Sequence, residues 1–200
     1  ALPNKLTGFQ DVEDDEVRAK FEGAWDCEIP ATNGWNLTEM FEAMERDELK
    51  AVYCIGENPA DSEADVKHAR AMLERLDVLV VQDVFLTRTA QMADVVLPAA
   101  LGWAESDGTV TNSERRVQRM RAAIPPPGEA RQEIGIINDL AAQMGDGGWG
   151  NPTAEELWEE LRTVSPMHAG MSWERLEAEG GIQWPCPTED HLGSPFLHGR

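Results

Sequence analysis

Two polar clusters in this 200-residue chain sit where chemistry is easily built. The first is Gly56-Glu57-Asn58-Pro59-Ala60-Asp61-Ser62, directly after the apolar run Ala51–Ile55. The second is Gln82-Asp83, directly after Val78–Val81. A glycine after a buried strand lets the backbone turn sharply or approach a ligand. Glu57, Asn58 and Ser62 add polar edges to that turn. In an open α/β sheet, ligands bind beyond the carboxyl ends of the strands. Two such clusters at one sheet edge form a crevice for a polar heterocycle. A carboxylate and an amide can pair with a guanine edge, the acid accepting from N1–H and N2–H₂. The competing account is that every strand must end in something polar. On the residues alone both accounts stand.

Other motifs carry less. In DGTVTNSERRVQR, Asp107 to Arg119, Arg115 and Arg116 follow Glu114. This arrangement suits a buried ion-pair network or an anion clamp, and the network is the simpler account. GDGGWG, Gly145 to Gly150, spells G-x-G-x-x-G but follows a helix-like segment and precedes Asn151-Pro152. A dinucleotide fingerprint needs a strand before and a helix start after, so this one is rejected. No Walker loop, HExxH or GxSxG occurs. Cys27, Cys54 and Cys186 are scattered and odd in number, against a disulfide scaffold or zinc site. Cys54 lies in an apolar run and is expected in the core. His68, His168, His191 and His198 share no ligand spacing and read as surface or packing residues. Asp190-His191 reads as a surface pair, and the sequon Asn36-Leu37-Thr38 as chance.

The elements that must position the two clusters follow from periodicity. Asp14 to Ala24 is helix-like. Asn36 and Glu39 form a capping-box pattern, with Leu37, Met40, Phe41 and Met44 on one face. Strands are expected at Ala51–Ile55, Val78–Val81 and Val95–Leu97, with helices at 64–76 and 87–92 between them. VLVV is too uniformly apolar for a half-exposed strand and suits a parallel sheet covered on both faces. The alternation predicts a doubly wound parallel sheet. Asp94, which leads into the third strand, lies at the opposite sheet end and reads as structural. Beyond residue 100 the pattern changes. β-prone pieces appear at 109–111 and 117–120, then a helix at 134–144 with Gly145 as its stop, and a helix capped by Thr153 and Glu156. From Ser165 onward there is little periodicity.

Charge is the strongest compositional feature, with 17 basic and 37 acidic residues and a net charge of −20. Such a field repels nucleic acid and anionic membranes. The acids are spread over all segments and lysine is scarce, which favours halophilic adaptation, a surface hydrated in a salt-rich cytoplasm, over a dedicated acidic patch. The one dense block, Val12 to Glu16, reads as a solvated helix start. No apolar run approaches the ~18 residues of a membrane span. No signal-peptide pattern opens the chain, so a cytoplasmic location is expected.

Taken in order, GENP, VVQDVFLTRTAQMADVVLPA, ESDGTVTNSERRVQ and PPPGEARQEI resemble the molybdopterin oxidoreductase superfamily, most nearly its formate dehydrogenase alpha (catalytic) subunits. ALPNKLTGFQ, EVRAKFEGAW and GGIQWPCP extend the resemblance over nearly the whole chain. The resemblance implies a Rossmann-like parallel sheet with helices on both faces, then a smaller mixed α+β region. Residues 1–101 with a returning helix at 131–152 would form the cofactor region. Residues 102–130 and 153–200 would pack on an iron–sulfur N-terminal domain.

The implied cofactor is bis(molybdopterin guanine dinucleotide) with Mo or W. The implied site is Gly56, Glu57, Asn58, Ser62, Gln82, Asp83, Ser106 and Glu133. Asn58 and Ser62 stand where the family uses an acid and a hydroxyl. Ser106 replaces a common Lys, which removes that Lys contact, and Glu133 stands where Asp is frequent. The family's [4Fe–4S] ligands and its metal-ligating Cys or selenocysteine have no counterpart here, so no catalytic residue is assigned and the 200-residue piece alone is expected to be inactive. Formate would be oxidised to CO₂ in the whole subunit, with electrons passing to an iron–sulfur partner subunit. Another member such as a nitrate reductase, and a non-catalytic module of an electron-transfer complex, remain open alternatives.

Overall fold

The computed structural model describes residues 2–198; Ala1, Gly199 and Arg200, at the outer limits of the expected regions, lie outside the described residues. The chain opens with a short antiparallel hairpin, β1 (Lys5–Leu6) and β2 (Gln10–Asp11), followed by α1 (Asp15–Trp25). The acidic block does start a helix: the Asp14 carboxylate accepts from the backbone N–H groups of Glu16 and Val17. Next comes α2 (Leu37–Glu45), which begins on the capping box read from the sequence. Asn36 Oδ1 accepts from Glu39 N at 3.0 Å, and Glu39 Oε2 accepts from Asn36 N at 2.7 Å.

The α/β unit then follows as β3 (Ala51–Ile55), α3 (Pro59–Ser62), α4 (Val66–Leu73), β4 (Val78–Asp83), α5 (Arg88–Met92) and β5 (Val95–Pro98). The three strands pair in parallel in that order, giving the expected fold class. Strand alternation sends Cys54, Leu79 and Val81 to one face, where they meet Phe41, Met44, Ala69, Met72 and Leu73 in the first core. The opposite face carries Tyr53, Ile55, Val78, Val80 and Gln82. Cover there is uneven: Val78 and Ile55 are 43% and 46% exposed, whereas Gln82 is 1% exposed. Asp94 is structural, as expected. Its carboxylate accepts from Leu79 N at 2.7 Å and so ties the start of β5 to β4.

The second lobe is built from β6 (Gly108–Thr111), β7 (Arg116–Met120), α6 (Glu133–Gln143), α7 (Ala154–Val164), α8 (Trp173–Glu179) and β8 (Ile182–Gln183). Strands β6, β7 and β8 form an antiparallel sheet in that order. Its core gathers Val117, Trp158, Met171, Trp173, Leu176, Ile182 and Cys186. Most of these come from the segment whose sequence shows little periodicity. The reason is length: α8 spans 7 residues and β8 spans 2, too few for a repeat to register. Close backbone contacts hold this segment instead. A Cβ on Gly170 would lie 2.0 Å from Thr188 O. The first 25 residues are tied to this lobe, with Gln10 Nε2 donating to Val164 O at 2.8 Å and Trp25 Nε1 to Glu160 at 3.0 Å.

Candidate functional site

Strand β4 runs two residues further than its apolar run, so Gln82 and Asp83 end the strand rather than forming a turn. Gly56 N donates to Gln82 O at 2.8 Å, which brings the two sequence clusters to one edge. Gly56 has φ +63°, and nothing lies within 4 Å of a Cβ built there. Backbone conformation, not crowding, selects glycine at this turn.

The Gln82 side chain lies under the edge. Tyr53, on the same face, donates its hydroxyl to Gln82 Oε1, while Gln82 Nε2 is buried without a partner. Burial raises the Tyr53 pKa and keeps the hydroxyl a donor. Asp83 leaves the strand on the other face, half-buried, with Oδ1 accepting from Phe85 N at 3.0 Å. Among the described residues, none donates to its second carboxylate oxygen. Glu57 is exposed, and its carbonyl accepts from the Cys54 thiol at 3.3 Å. Burial is the main cause raising the Cys54 pKa, and the negative charges of Glu57 and Asp83 add to it.

Asn58 is mostly committed inside the fold. Its Oδ1 accepts from Thr89 N at 3.1 Å and Thr89 Oγ1 at 2.8 Å, and its Nδ2 donates to Asp61 at 3.0 Å. One amide N–H remains for a ligand. Ser62 sits exposed at the far end of α3, and no side-chain contact joins it to the strand ends.

Backbone bonds extend the sheet edge to the segment that precedes Glu133. Ala99 N donates to Asp83 O at 3.1 Å, Arg131 N to Pro98 O at 3.0 Å, and Ala100 N to Arg131 O at 2.7 Å. Residue 131 thus extends the ladder beyond β5. Gln132 Nε2 donates to Glu105 O at 3.0 Å, joining the segment before Ser106 to the start of α6. Glu133 is the first residue of that helix and is half-buried. Ser106 is buried, and its Oγ has no partner.

Sequence reasoning missed Tyr53, Thr89 and Gln132. Tyr53 was findable only with the register, which aligns Tyr53 with Val80 and so places it one step from Gln82 on the same face. The Arg115-Arg116 pair resolves to the structural account. Arg115 stacks 5.3 Å from the Trp184 ring and donates to the carbonyls of Trp184, Ser194 and Pro195, while Arg116 donates to Gly181 O at 2.9 Å. Gly145, at φ +96°, ends α6 with Gly145 N on Ala142 O, as its expected stop role requires. GDGGWG follows as a loop. Among the described residues, no cluster of three or more His, Cys, Asp or Glu side chains could hold a metal ion.

A family model described as molybdopterin oxidoreductase matches residues 7–143, more than half of the chain. The chain belongs to the molybdopterin oxidoreductase family. This molybdopterin oxidoreductase chain is 46% identical, over 99% of its length, to the F420-dependent formate dehydrogenase subunit alpha of Methanocaldococcus jannaschii. It is 42% identical, over 98% of its length, to a putative formate dehydrogenase of Bacillus subtilis. It covers only 29% and 20% of those two proteins, so it spans less than a third of its curated relatives. Among solved structures, acetylene hydratase from Pelobacter acetylenicus superimposes with a TM-score of 0.58 at 28% identity. That match covers 76% of this chain and 21% of the hydratase.

Proposed function

We propose that this chain holds the guanine dinucleotide end of a bis(molybdopterin guanine dinucleotide) cofactor within a formate dehydrogenase alpha subunit. The observation carrying this reading is the buried, unpartnered Gln82 Nε2 at the carboxyl edge of the sheet, with Gly56 and Asp83 beside it. Buried polar groups are ordinarily hydrogen-bonded, and an unsatisfied one costs about 1–3 kcal/mol. A polar ligand covering the carboxyl edge would satisfy it.

The residues fit such a ligand in kind. With Oε1 held by Tyr53, Gln82 offers N–H to an oxygen acceptor such as a guanine carbonyl or a phosphate. The free oxygen of Asp83 suits the donors N1–H and N2–H₂ of a guanine. Because the two side chains leave β4 on opposite faces, they would meet different groups of the ligand. Gly56, Glu57, the remaining Asn58 N–H and Glu133 complete the edge, with Ser62 at its exposed margin. Residues 1–101 and 131–152 would form the cofactor region, and 102–130 with 153–200 would pack on an iron–sulfur domain.

Gln82, Asp83 and the edge residues would hold the group, which with Mo or W would supply two-electron exchange for formate oxidation to CO₂ in the whole subunit. A [4Fe–4S] cluster and an iron–sulfur partner subunit would be the expected electron acceptors. This chain's part is to bind and orient the cofactor, so the 200 residues alone are expected to leave formate unoxidised. The formate dehydrogenase relatives favour formate over other substrates. The shared fold does not choose the reaction, as the likeness to an acetylene hydratase illustrates. No described helix is long and apolar enough to cross a membrane. We further read the net charge of −20 as adaptation to a salt-rich cytoplasm.

The test is to express the complete reading frame and measure metal and the GMP released on acid hydrolysis. Both are expected in stoichiometric amounts, and Asp83→Ala should lower both together. A folded, full-length protein with neither would sink the proposal.

A further inference from the structure

Beside residue 131, which extends the sheet edge, a cleft of about 600 Å³ opens between β7, α6, α7 and α8. Three arginines converge on it from separate segments: Arg119 from β7, Arg121 just beyond it, and Arg131 before α6. The chain has only 17 basic residues against 37 acidic ones, so this local concentration is unusual.

The state of Arg119 is the telling detail. Its side chain is only 13% exposed, and its guanidinium lies 3.3 Å from the centroid of the Trp173 ring. Its nearest carboxylate, Glu177, stands at 3.6 Å, beyond good hydrogen-bonding distance, and Arg119 Nε is buried with no partner. Glu177 is held more closely by Arg121. Arg131 spends one nitrogen on Asp139 and Gly135 O and keeps its other donors free. A guanidinium carries five N–H donors, and a largely buried one is normally satisfied. Two acids also line the cleft, but Asp107 already accepts from Ala122 N, and Glu155 is exposed on the first turn of α7. That turn directs helix N–H groups toward the same space.

We propose that this cleft, which adjoins the strand-end edge at residues 131 and 132, is a second anion site and takes the phosphate group of a small molecule. Planar guanidinium forks from three directions match a tetrahedral oxyanion. Stacking on Trp173 fixes Arg119 in advance, so little side-chain freedom is lost on binding. The volume exceeds that of a lone phosphate, which points to a phosphorylated small molecule rather than the free ion.

The test uses the full-length subunit, with inorganic pyrophosphate as probe in isothermal titration at about 0.15 M salt, near the physiological ionic strength. Saturable binding is expected. Arg119→Gln and the more exposed Arg121→Gln should each weaken it about tenfold, the scale of losing one charge-assisted contact. Asp83→Ala, at the strand-end site, should leave the affinity unchanged. Circular dichroism of each variant separates lost binding from lost fold, and Arg121→Gln serves should Arg119→Gln unfold. Absence of saturation at 10 mM (about the upper limit of a specific site), equal affinity in folded arginine variants, or an equal loss in Asp83→Ala would each overturn the proposal. Tighter binding of a dicarboxylate than of pyrophosphate would also overturn it, by reassigning the cleft to carboxylates.

Discussion

Replacing Tyr53 with Phe isolates the interaction on which the strand-end site rests. The substitution keeps the ring and deletes only the hydroxyl that donates to Gln82 Oε1. Gln82 is 1% exposed and its Nε2 already lacks a partner, so the change would leave the whole amide unsatisfied. Stranding one buried acceptor costs about 1–3 kcal/mol. For a chain of this size, a urea m-value of about 2–3 kcal/mol/M converts that to a midpoint lower by roughly 0.5–1 M. Gln82→Leu deletes the orphaned donor but also the acceptor of the part-buried Tyr53 hydroxyl, so it should cost less than Tyr53→Phe, within about 1 kcal/mol of the parent. With Gln82 already leucine, Tyr53→Phe should cost under about 0.5 kcal/mol, since no amide then depends on the hydroxyl. The double-mutant cycle should thus show coupling of about 1–2 kcal/mol. A neutral Tyr53→Phe, or a double variant equal to the sum of the singles, would refute the reasoning. In the full-length subunit the proposed role adds a second readout. Gln82→Leu should lower bound metal and GMP even as stability stays within about 1 kcal/mol of the parent.

Two further outcomes follow from the packing and one group's titration. Gly170→Ala would drive a methyl to 2.0 Å from Thr188 O and 2.9 Å from Cys186 O, so a loss of about 3 kcal/mol or more is expected in urea unfolding; an unchanged midpoint would show that the 170–188 backbone contact is absent in solution. His168 packs edge-on against Trp158 and shares a 2.7 Å contact with Ser165 Oγ, and burial lowers its pKa. The unfolded chain takes up that proton near pH 6.5 while the folded chain resists. This contribution to stability is therefore present above about pH 6.5 and is lost as the pH falls toward the lowered folded value. His168→Gln should shrink the fall in urea midpoint between pH 7.5 and 5.5, and an identical fall in both proteins would contradict the assignment.

Elements announced by several independent signals were legible before any coordinates. The α2 start combines Asn36 and Glu39 with a helical apolar stripe, and the capping box forms as read. The α7 start does the same with Thr153 and Glu156. The three parallel strands are short apolar runs bounded by turn residues, and β3 falls on the expected residues. Elements held by tertiary contacts alone were not legible. The 4-residue helix α3 has no repeat to detect and forms because Asn58 and Thr89 lock its start. The segment after Ser165 is shaped by backbone approach at Gly170, by Arg175 donating to Gly170 O and His191 O, and by Trp158 donating to Met171 O. None of these contacts leaves a local pattern.

The site was legible in outline, because an apolar run ending in Gln-Asp marks a strand end whatever its role. Its internal logic was not, because that depends on strand register. Asp94 and Gln82 show what decides between a structural and a binding residue. Both flank buried strands of one sheet, and both are polar. One Asp94 carboxylate oxygen accepts from Leu79 N at 2.7 Å, and Asp94 stands at the start of β5, the sheet end opposite the strand-end site. Gln82 is half-satisfied, with Oε1 fixed by Tyr53 and Nε2 buried without an acceptor. Asn58 lies between them, with its carbonyl spent on Thr89 and one N–H to spare. A fold stable on its own terms would not keep an orphaned donor beside a filled acceptor at about 1–3 kcal/mol each. Such a donor, at the carboxyl edge of a parallel sheet, is the group that the proposed ligand would satisfy.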